Sequence, residues 1–160
     1  MQGDGNLVVY SQAGAPVWTS FTGGHEGTYL AVQDDGKAVL YQGTTPLWEA
    51  CGGLLPNQSL PAGQSTNSCD GRFRLSLLST GDLVLSQGAT QLWSAGIAGS
   101  GATFALMQTD GNFVVYAGSG SVWQSRTGGH PGGQLSVQND GNLVVYQGNV
   151  PLWSSGTCCR

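Results

Sequence analysis

An all-β fold built from repeated hairpins is what these 160 residues predict, and three observations predict it. A nine-residue segment recurs along the chain, which marks a repeat architecture. Copies of it pair a tight-turn signal with apolar–polar alternation, the two-residue period of a strand. No window carries a 3.6-residue apolar period, so helix is excluded as a major element.

The first copy is Gln2-Gly3-Asp4-Gly5-Asn6-Leu7-Val8-Val9-Tyr10. Asp-Gly predicts a two-residue hairpin loop in which both turn residues take positive φ. After it, Asn6, Val8 and Tyr10 alternate with Leu7 and Val9, so the two sets face opposite ways, Leu7 and Val9 inward. The second copy, Gln33-Asp34-Asp35-Gly36-Lys37-Ala38-Val39-Leu40-Tyr41, carries Lys where the first carries Asn. The third, Leu78-Ser79-Thr80-Gly81-Asp82-Leu83-Val84-Leu85-Ser86, keeps the outline and loses the polar set. The fourth and fifth restore it: Gln108-Thr109-Asp110-Gly111-Asn112-Phe113-Val114-Val115-Tyr116 and Gln138-Asn139-Asp140-Gly141-Asn142-Leu143-Val144-Val145-Tyr146. Each copy is followed by a Trp (Trp18, Trp48, Trp93, Trp123, Trp153) on a further strand, and these Trp residues are expected in the core. Pro46 and Pro151 open two of those strands, a position strands tolerate.

A longer period lies above the first. Trp18 to Trp123, His25 to His130 and Trp48 to Trp153 are each 105 residues apart, so a unit of three hairpins has been duplicated. Residues 53–160 read as one complete domain of three repeats, and residues 1–52 as a partial domain holding two. Met1 aligns with Met107, and the first half has no counterpart of residues 54–106. It is therefore expected to present an open edge and an apolar face, to be covered by a homo-oligomer, a partner chain or the packing of the two halves.

Composition narrows the function. Charged residues are 9%, against about a quarter in ordinary domains. Disorder is nevertheless excluded by a 39% hydrophobic content that includes five Trp, five Tyr and four Phe. No apolar run reaches the roughly 20 residues of a spanning helix, so no membrane insertion is expected. A net charge of −4 with five Lys and Arg offers no basic path for nucleic acid. Cys51, Cys69, Cys158 and Cys159 show no CxxC spacing, which favours disulfides over zinc, and adjacent Cys158 and Cys159 are poorly placed to join each other. The pairing of Cys69 with Cys51, Cys158 or Cys159 stays open. The start of the chain shows no signal-peptide pattern, but the cysteine usage points to an oxidising, extracellular setting. The Asp-rich turns lack the Glu of a calcium loop, so no metal or cofactor is expected. His25 and His130 sit in inter-repeat loops, and Asn57-Gln58-Ser59 is a glycosylation sequon. Carboxylates repeated identically on separate faces do not make the asymmetric acid–base pair of a glycosidase, so no enzyme is expected.

The pattern Gln-x-Asp-x-Asn-x-Val-x-Tyr with a trailing Trp resembles the monocot mannose-binding lectin family, also called bulb-type or B-lectin domains. The stretch Leu54-Leu55-Pro56-Asn57-Gln58-Ser59-Leu60, with Gly71-Arg72-Phe73-Arg74-Leu75, is similar to the opening of such a domain. The resemblance implies a β-prism II, three four-stranded antiparallel sheets about a pseudo-three-fold axis, one complete and one partial in tandem. It also implies a secreted, multivalent, non-catalytic protein whose partners are mannose or mannose-rich glycans. In the family, Asp and Asn hold the axial O2 of mannose, Gln reaches O3, Tyr reaches O4, and Val packs on the ring. Carried over, three sites look intact: Gln2/Asp4/Asn6/Val8/Tyr10, Gln108/Asp110/Asn112/Val114/Tyr116 and Gln138/Asp140/Asn142/Val144/Tyr146. Gln33/Asp35/Lys37/Val39/Tyr41 is expected to be weak or inactive, because Lys donates but cannot accept from a hydroxyl. Leu78, Thr80, Asp82 and Ser86 leave the third copy silent. The competing expectation is a protein-interacting, taste-modifying or structural prism with vestigial sites.

Overall fold

A computed structural model of the protein describes residues 1–32, 38–50 and 52–159. Every regular element among them is a strand. The chain divides into two compact units, Met1–Cys51 and Gly52–Arg160.

In the first unit, β1 (Val8–Tyr10) pairs with β2 (Pro16–Thr19), and β3 (Tyr29–Val32), β4 (Ala38–Gln42) and β5 (Thr45–Ala50) form a three-stranded sheet. The second unit opens with three short strands, β6 (Gly53–Leu54), β7 (Ser59–Pro61) and β8 (Ser65–Asn67). Three β-meanders follow: β9 (Phe73–Leu77), β10 (Leu83–Gln87) and β11 (Thr90–Ser94); β12 (Phe104–Met107), β13 (Phe113–Ala117) and β14 (Gly120–Gln124); β15 (Gln134–Val137), β16 (Leu143–Gln147) and β17 (Val150–Ser154). Each opening strand completes one meander, giving three four-stranded antiparallel sheets in the orders β11-β10-β9-β8, β14-β13-β12-β7 and β17-β16-β15-β6. Because β6 begins the unit and pairs with β15 of the last meander, the start of the unit closes onto its end. This is the expected β-prism II.

Alternation places one face of every meander inside. Phe73, Leu75, Leu77, Leu83 and Leu85 from the first, Met107, Phe113 and Val115 from the second, and Leu135, Val137, Leu143 and Val145 from the third form one core. Each large apolar side chain so buried contributes about 1.5–3 kcal/mol. In the last strand of each meander the register shifts, leaving Leu92, Val122 or Leu152 as an extra residue before the Trp. A bulge breaks the two-residue alternation, so two successive side chains, such as Val122 and Trp123, both reach the core. Trp93, Trp123 and Trp153 meet edge to face, with ring centroids 5.4–5.6 Å apart, one from each sheet.

Two expectations are corrected. The Asp-Gly turn is not a two-residue loop with two positive φ angles. In the fourth copy, Gln108 N–H donates to Asn112 O at 2.8 Å and Gly111 N–H to Gln108 O at 3.1 Å, which closes a three-residue loop. Gly111, at φ 89°, alone takes the left-handed conformation, as in a type I turn ending in a glycine bulge. Its backbone lies so near His130 O that an added Cβ would come within 2.1 Å, so the position requires glycine twice over. The second correction is Val9, which is 49% exposed although the alternation assigns it inward. Its counterpart Val115 is fully buried. The unit Met1–Cys51 has two sheets among its described residues where the other unit has three, so Val9 lacks the third sheet that helps to cover its counterpart. Leu30 and Val32 follow suit, at 41% and 77% exposed against 3% and 1% for Leu135 and Val137.

Candidate functional site

The short loop turns the motif residues onto the outer face of each sheet. At the fourth copy, Asp110 sits at the tip, and its Oδ1 accepts from the Asn112 backbone N–H at 2.9 Å, which pins the carboxylate and leaves Oδ2 outward. Gly128 of the following loop lies beside that free oxygen, where an added Cβ would come within 3.3 Å. Gln108 Nε2 donates to the Tyr116 hydroxyl at 2.7 Å, so the phenolic hydrogen and Gln108 Oε1 remain for a ligand. Tyr116 is stacked on Phe104 with centroids 5.1 Å apart, which fixes the ring. Val114 lies between Asn112 and Tyr116 on the same face.

The fifth copy repeats this geometry. Asp140 Oδ1 accepts from Asn142 N–H at 2.9 Å, and Gln138 Nε2 donates to the Tyr146 hydroxyl at 2.9 Å. The first copy does the same through Asp4 with Asn6 at 3.0 Å and Gln2 with Tyr10 at 2.7 Å, at a more exposed position. Each of these three copies brings its five residues together. Gln33, Asp35 and Lys37 lie outside the described residues. Of that copy, Val39 is buried and Tyr41 is stacked on Tyr29.

The motif Asn also has a structural duty that the motif alone did not reveal. Asn112 Oδ1 accepts from Ser125 Oγ at 3.2 Å and Thr127 N–H at 3.1 Å. Thr127 Oγ1 in turn donates to Gly111 O at 2.6 Å, so a buried polar clamp ties the turn to the next loop. Asn142 with Ser155 and Thr157, and Asn6 with Ser20 and Thr22, repeat the clamp. The signal that could have found it is a recurring Ser-x-Thr at 20–22, 125–127 and 155–157. In the silent copy Asp82 keeps the bond to the next loop, accepting from Ile97 N–H at 3.1 Å, but takes its second bond from Ser94 Oγ at 2.6 Å, one residue before the place of Ser125 and Ser155. His130, like His25, is held by its Nδ1 on a backbone carbonyl, at 3.0 Å to Thr127 O. A carbonyl only accepts, so Nδ1 donates there and ties the ring to its own loop.

A buttress stands behind the fifth copy. Arg72 donates through Nη2 to Asn139 O and through Nε to Asp70 Oδ2, and Asp70 N–H donates to Asn139 Oδ1 at 3.1 Å. Partial burial pushes the Asp70 carboxyl up. Hydrogen bonds from Ser68 Oγ and from the Arg72 backbone and side chain, together with the Arg72 charge, outweigh this and hold it at about 2. Among the described residues, no group of His, Cys, Asp and Glu is arranged to hold a metal.

What remains on each outer face is an acceptor carboxylate oxygen, an amide oxygen and a phenolic donor around a valine that is itself buried at Val114 and Val144 and half-buried at Val8, a neutral-ligand surface with both hydrogen-bond senses. No family model matches the chain, and no curated protein sequence matches it. Solved structures do. A monomeric monocot mannose-binding lectin from Gastrodia elata is 32% identical over 67% of this chain and 98% of its own, with a TM-score of 0.61. The mannose-specific agglutinin of snowdrop (Galanthus nivalis) bulbs, solved with methyl α-D-mannoside, is 32% identical over 66% of this chain and 96% of its own, with a TM-score of 0.56. A two-domain, fetuin-binding agglutinin of Scilla campanulata covers 96% of this chain and 86% of its own at 26% identity, with a TM-score of 0.55. With its three-sheet prism, repeated motif and this likeness, the chain belongs to the monocot mannose-binding (bulb-type) lectin family of non-catalytic, carbohydrate-binding proteins.

Proposed function

We propose that the protein binds α-D-mannose and mannose-containing glycans through the hairpins 108–116, 138–146 and 2–10. The observation that carries this reading is the free set of polar atoms repeated on separate faces: Asp Oδ2, Gln Oε1 and the Tyr hydroxyl hydrogen, beside a valine. A pyranose offers matching hydroxyls on a ring with an apolar face. Selectivity follows from the axial hydroxyl, because groups built to bond it stay unpaired when it is misplaced. Four or five such bonds at about 1 kcal/mol each give about −4 kcal/mol, a millimolar constant. Useful avidity then comes from several sites meeting one branched glycan.

Calorimetric titration of the intact chain with methyl α-D-mannoside tests this. Millimolar binding that is lost when Asp4, Asp110 and Asp140 are all changed to Ala supports it. A wild type that takes up no mannoside supports a prism with vestigial sites instead.

The setting we propose is extracellular, with Cys69 held in a disulfide and the exposed Cys158 and Cys159 as thiols. Mass analysis after alkylation of the denatured chain counts the thiols, and four alkylated cysteines would refute the disulfide. We further propose that a second copy or a partner chain covers the open face of the unit Met1–Cys51, where Val9, Val17, Phe21 and Val32 are each about half exposed or more.

A further inference from the structure

The residue facing the motif valine from the neighbouring strand differs from sheet to sheet: Thr19 opposite Val8, Ser94 opposite Val84, Gln124 opposite Val114 and Ser154 opposite Val144. This position decides what the motif Asn presents. Thr19 Oγ1 donates to Asn6 Oδ1 at 2.8 Å, and Ser94 Oγ donates to Asp82 Oδ2 at 2.6 Å. Gln124 does the opposite: its Oε1 accepts from Asn112 Nδ2 at 2.8 Å. Asn142 Nδ2 meets no protein acceptor among the described residues, because Ser154 is too short to reach it. Burial agrees, since Asn112 is 9% exposed and Ser125 7%, while Asn142 and Ser155 are only half-buried.

We propose that Gln124 is a specificity-determining residue of the 108–116 hairpin, closing its amide donor against a single sugar and leaving 138–146 as the stronger site. The inference rests on the sugar-binding reading above. One of the two Nδ2 hydrogens of Asn112 is spent on Gln124, whose side chain crosses the outer face next to Val114, where a pyranose ring would pack. A hydroxyl that takes this hydrogen displaces the Gln124 amide and so exchanges one hydrogen bond for another. At Asn142 the same hydroxyl gains a bond outright. The difference is the worth of one neutral hydrogen bond, about five-fold in affinity. Gln124 ends the edge strand β14 and is exposed, so exchanging it leaves the core untouched.

The test is a site-resolved NMR titration of the isotope-labelled intact chain with methyl α-D-mannoside, following the backbone amides of Asn112 and Asn142 separately. In the wild type, Asn142 is expected to reach its midpoint at about five-fold lower mannoside than Asn112. Gln124→Ser is expected to close that gap, and Ser154→Gln to weaken the Asn142 response about five-fold with Asn112 unchanged. Equal midpoints in the wild type, or a gap that neither variant alters, would overturn the inference while leaving sugar binding intact. Silence at both hairpins overturns the sugar-binding reading and this inference with it.

Discussion

Asn142 splits two tasks between two atoms of one side chain. Its Oδ1 holds the loop through Ser155 and Thr157, and its Nδ2 faces outward. Asp82 shows that a carboxylate can hold the loop in a well-packed sheet, since it accepts from Ile97 N–H where Asn142 accepts from Thr157 N–H, with Ser94, at the place of Ser154, as its second donor. Asn142→Asp is therefore expected to fold with a stability within about 1 kcal/mol of wild type. It loses the donor, so mannoside affinity at 138–146 should fall at least about five-fold, read by calorimetry in a background with Asp4→Ala and Asp110→Ala. A large drop in unfolding midpoint would show that the amide is needed for the clamp itself. The role of Tyr146 is read similarly: Tyr146→Phe removes the outward hydroxyl and the acceptor of Gln138, and should cost about five-fold in the same assay. The five motif residues were legible because they recur as a block. The clamp was not, because Ser155 and Thr157 lie 13 and 15 residues away and become neighbours of Asn142 only through the meander.

The hairpin is the element that makes the site, and its turn differs from the sequence expectation in a way that matters. Asp-Gly signalled a tight turn correctly, but the loop takes in Thr109 or Asn139 as well. That extra residue puts Asp at the tip, where its carboxylate can fold back onto the Asn backbone. The choice between two- and three-residue loops depends on which carbonyl closes the hairpin, and no residue type in the motif specifies it. At the fifth copy the turn is also braced by Asp70 and by Arg72, which the sequence placed only in a domain-opening stretch. The Asp70 carboxyl is lowered to about 2 in the folded chain, well below the ordinary carboxylate range, so folding favours its charged form. Its contribution is present in full above about pH 4 and fades as the pH falls toward about 2. Arg72 is half exposed, so solvent screening keeps the effect modest. Urea unfolding of wild type and Asp70→Asn should show a gap in midpoint near pH 6 that narrows steadily below about pH 4; a gap independent of pH would contradict this assignment.

At the scale of the molecule, the contrast between the two units shows what holds the prism together. Three Trp residues meet where three sheets meet, whereas Trp18 and Trp48, 5.1 Å apart, form only a pair. Trp153→Ala removes one third of that cluster and should lower stability by about 3–5 kcal/mol, measured by denaturant unfolding. The prism came from the family resemblance, while a three-fold all-β fold was legible from the repeat, the alternation and the Trp spacing, since each meander needs only local pattern and a shared core. The way β6, β7 and β8 distribute themselves over three sheets was not, because their few residues carry no period. The open face of the other unit predicts that Val9→Thr with Val32→Thr weakens self-association in sedimentation, and an unchanged, monomeric wild type would count against a second copy as its cover. The account turns on the outward atoms of the 138–146 hairpin grasping one pyranose. A crystal of the intact chain soaked in methyl α-D-mannoside measures this most directly. Density for a ring over Val144, with hydroxyls on Asp140 Oδ2, Asn142 Nδ2 and Tyr146, is the predicted result; ordered water alone on an accessible hairpin would contradict it.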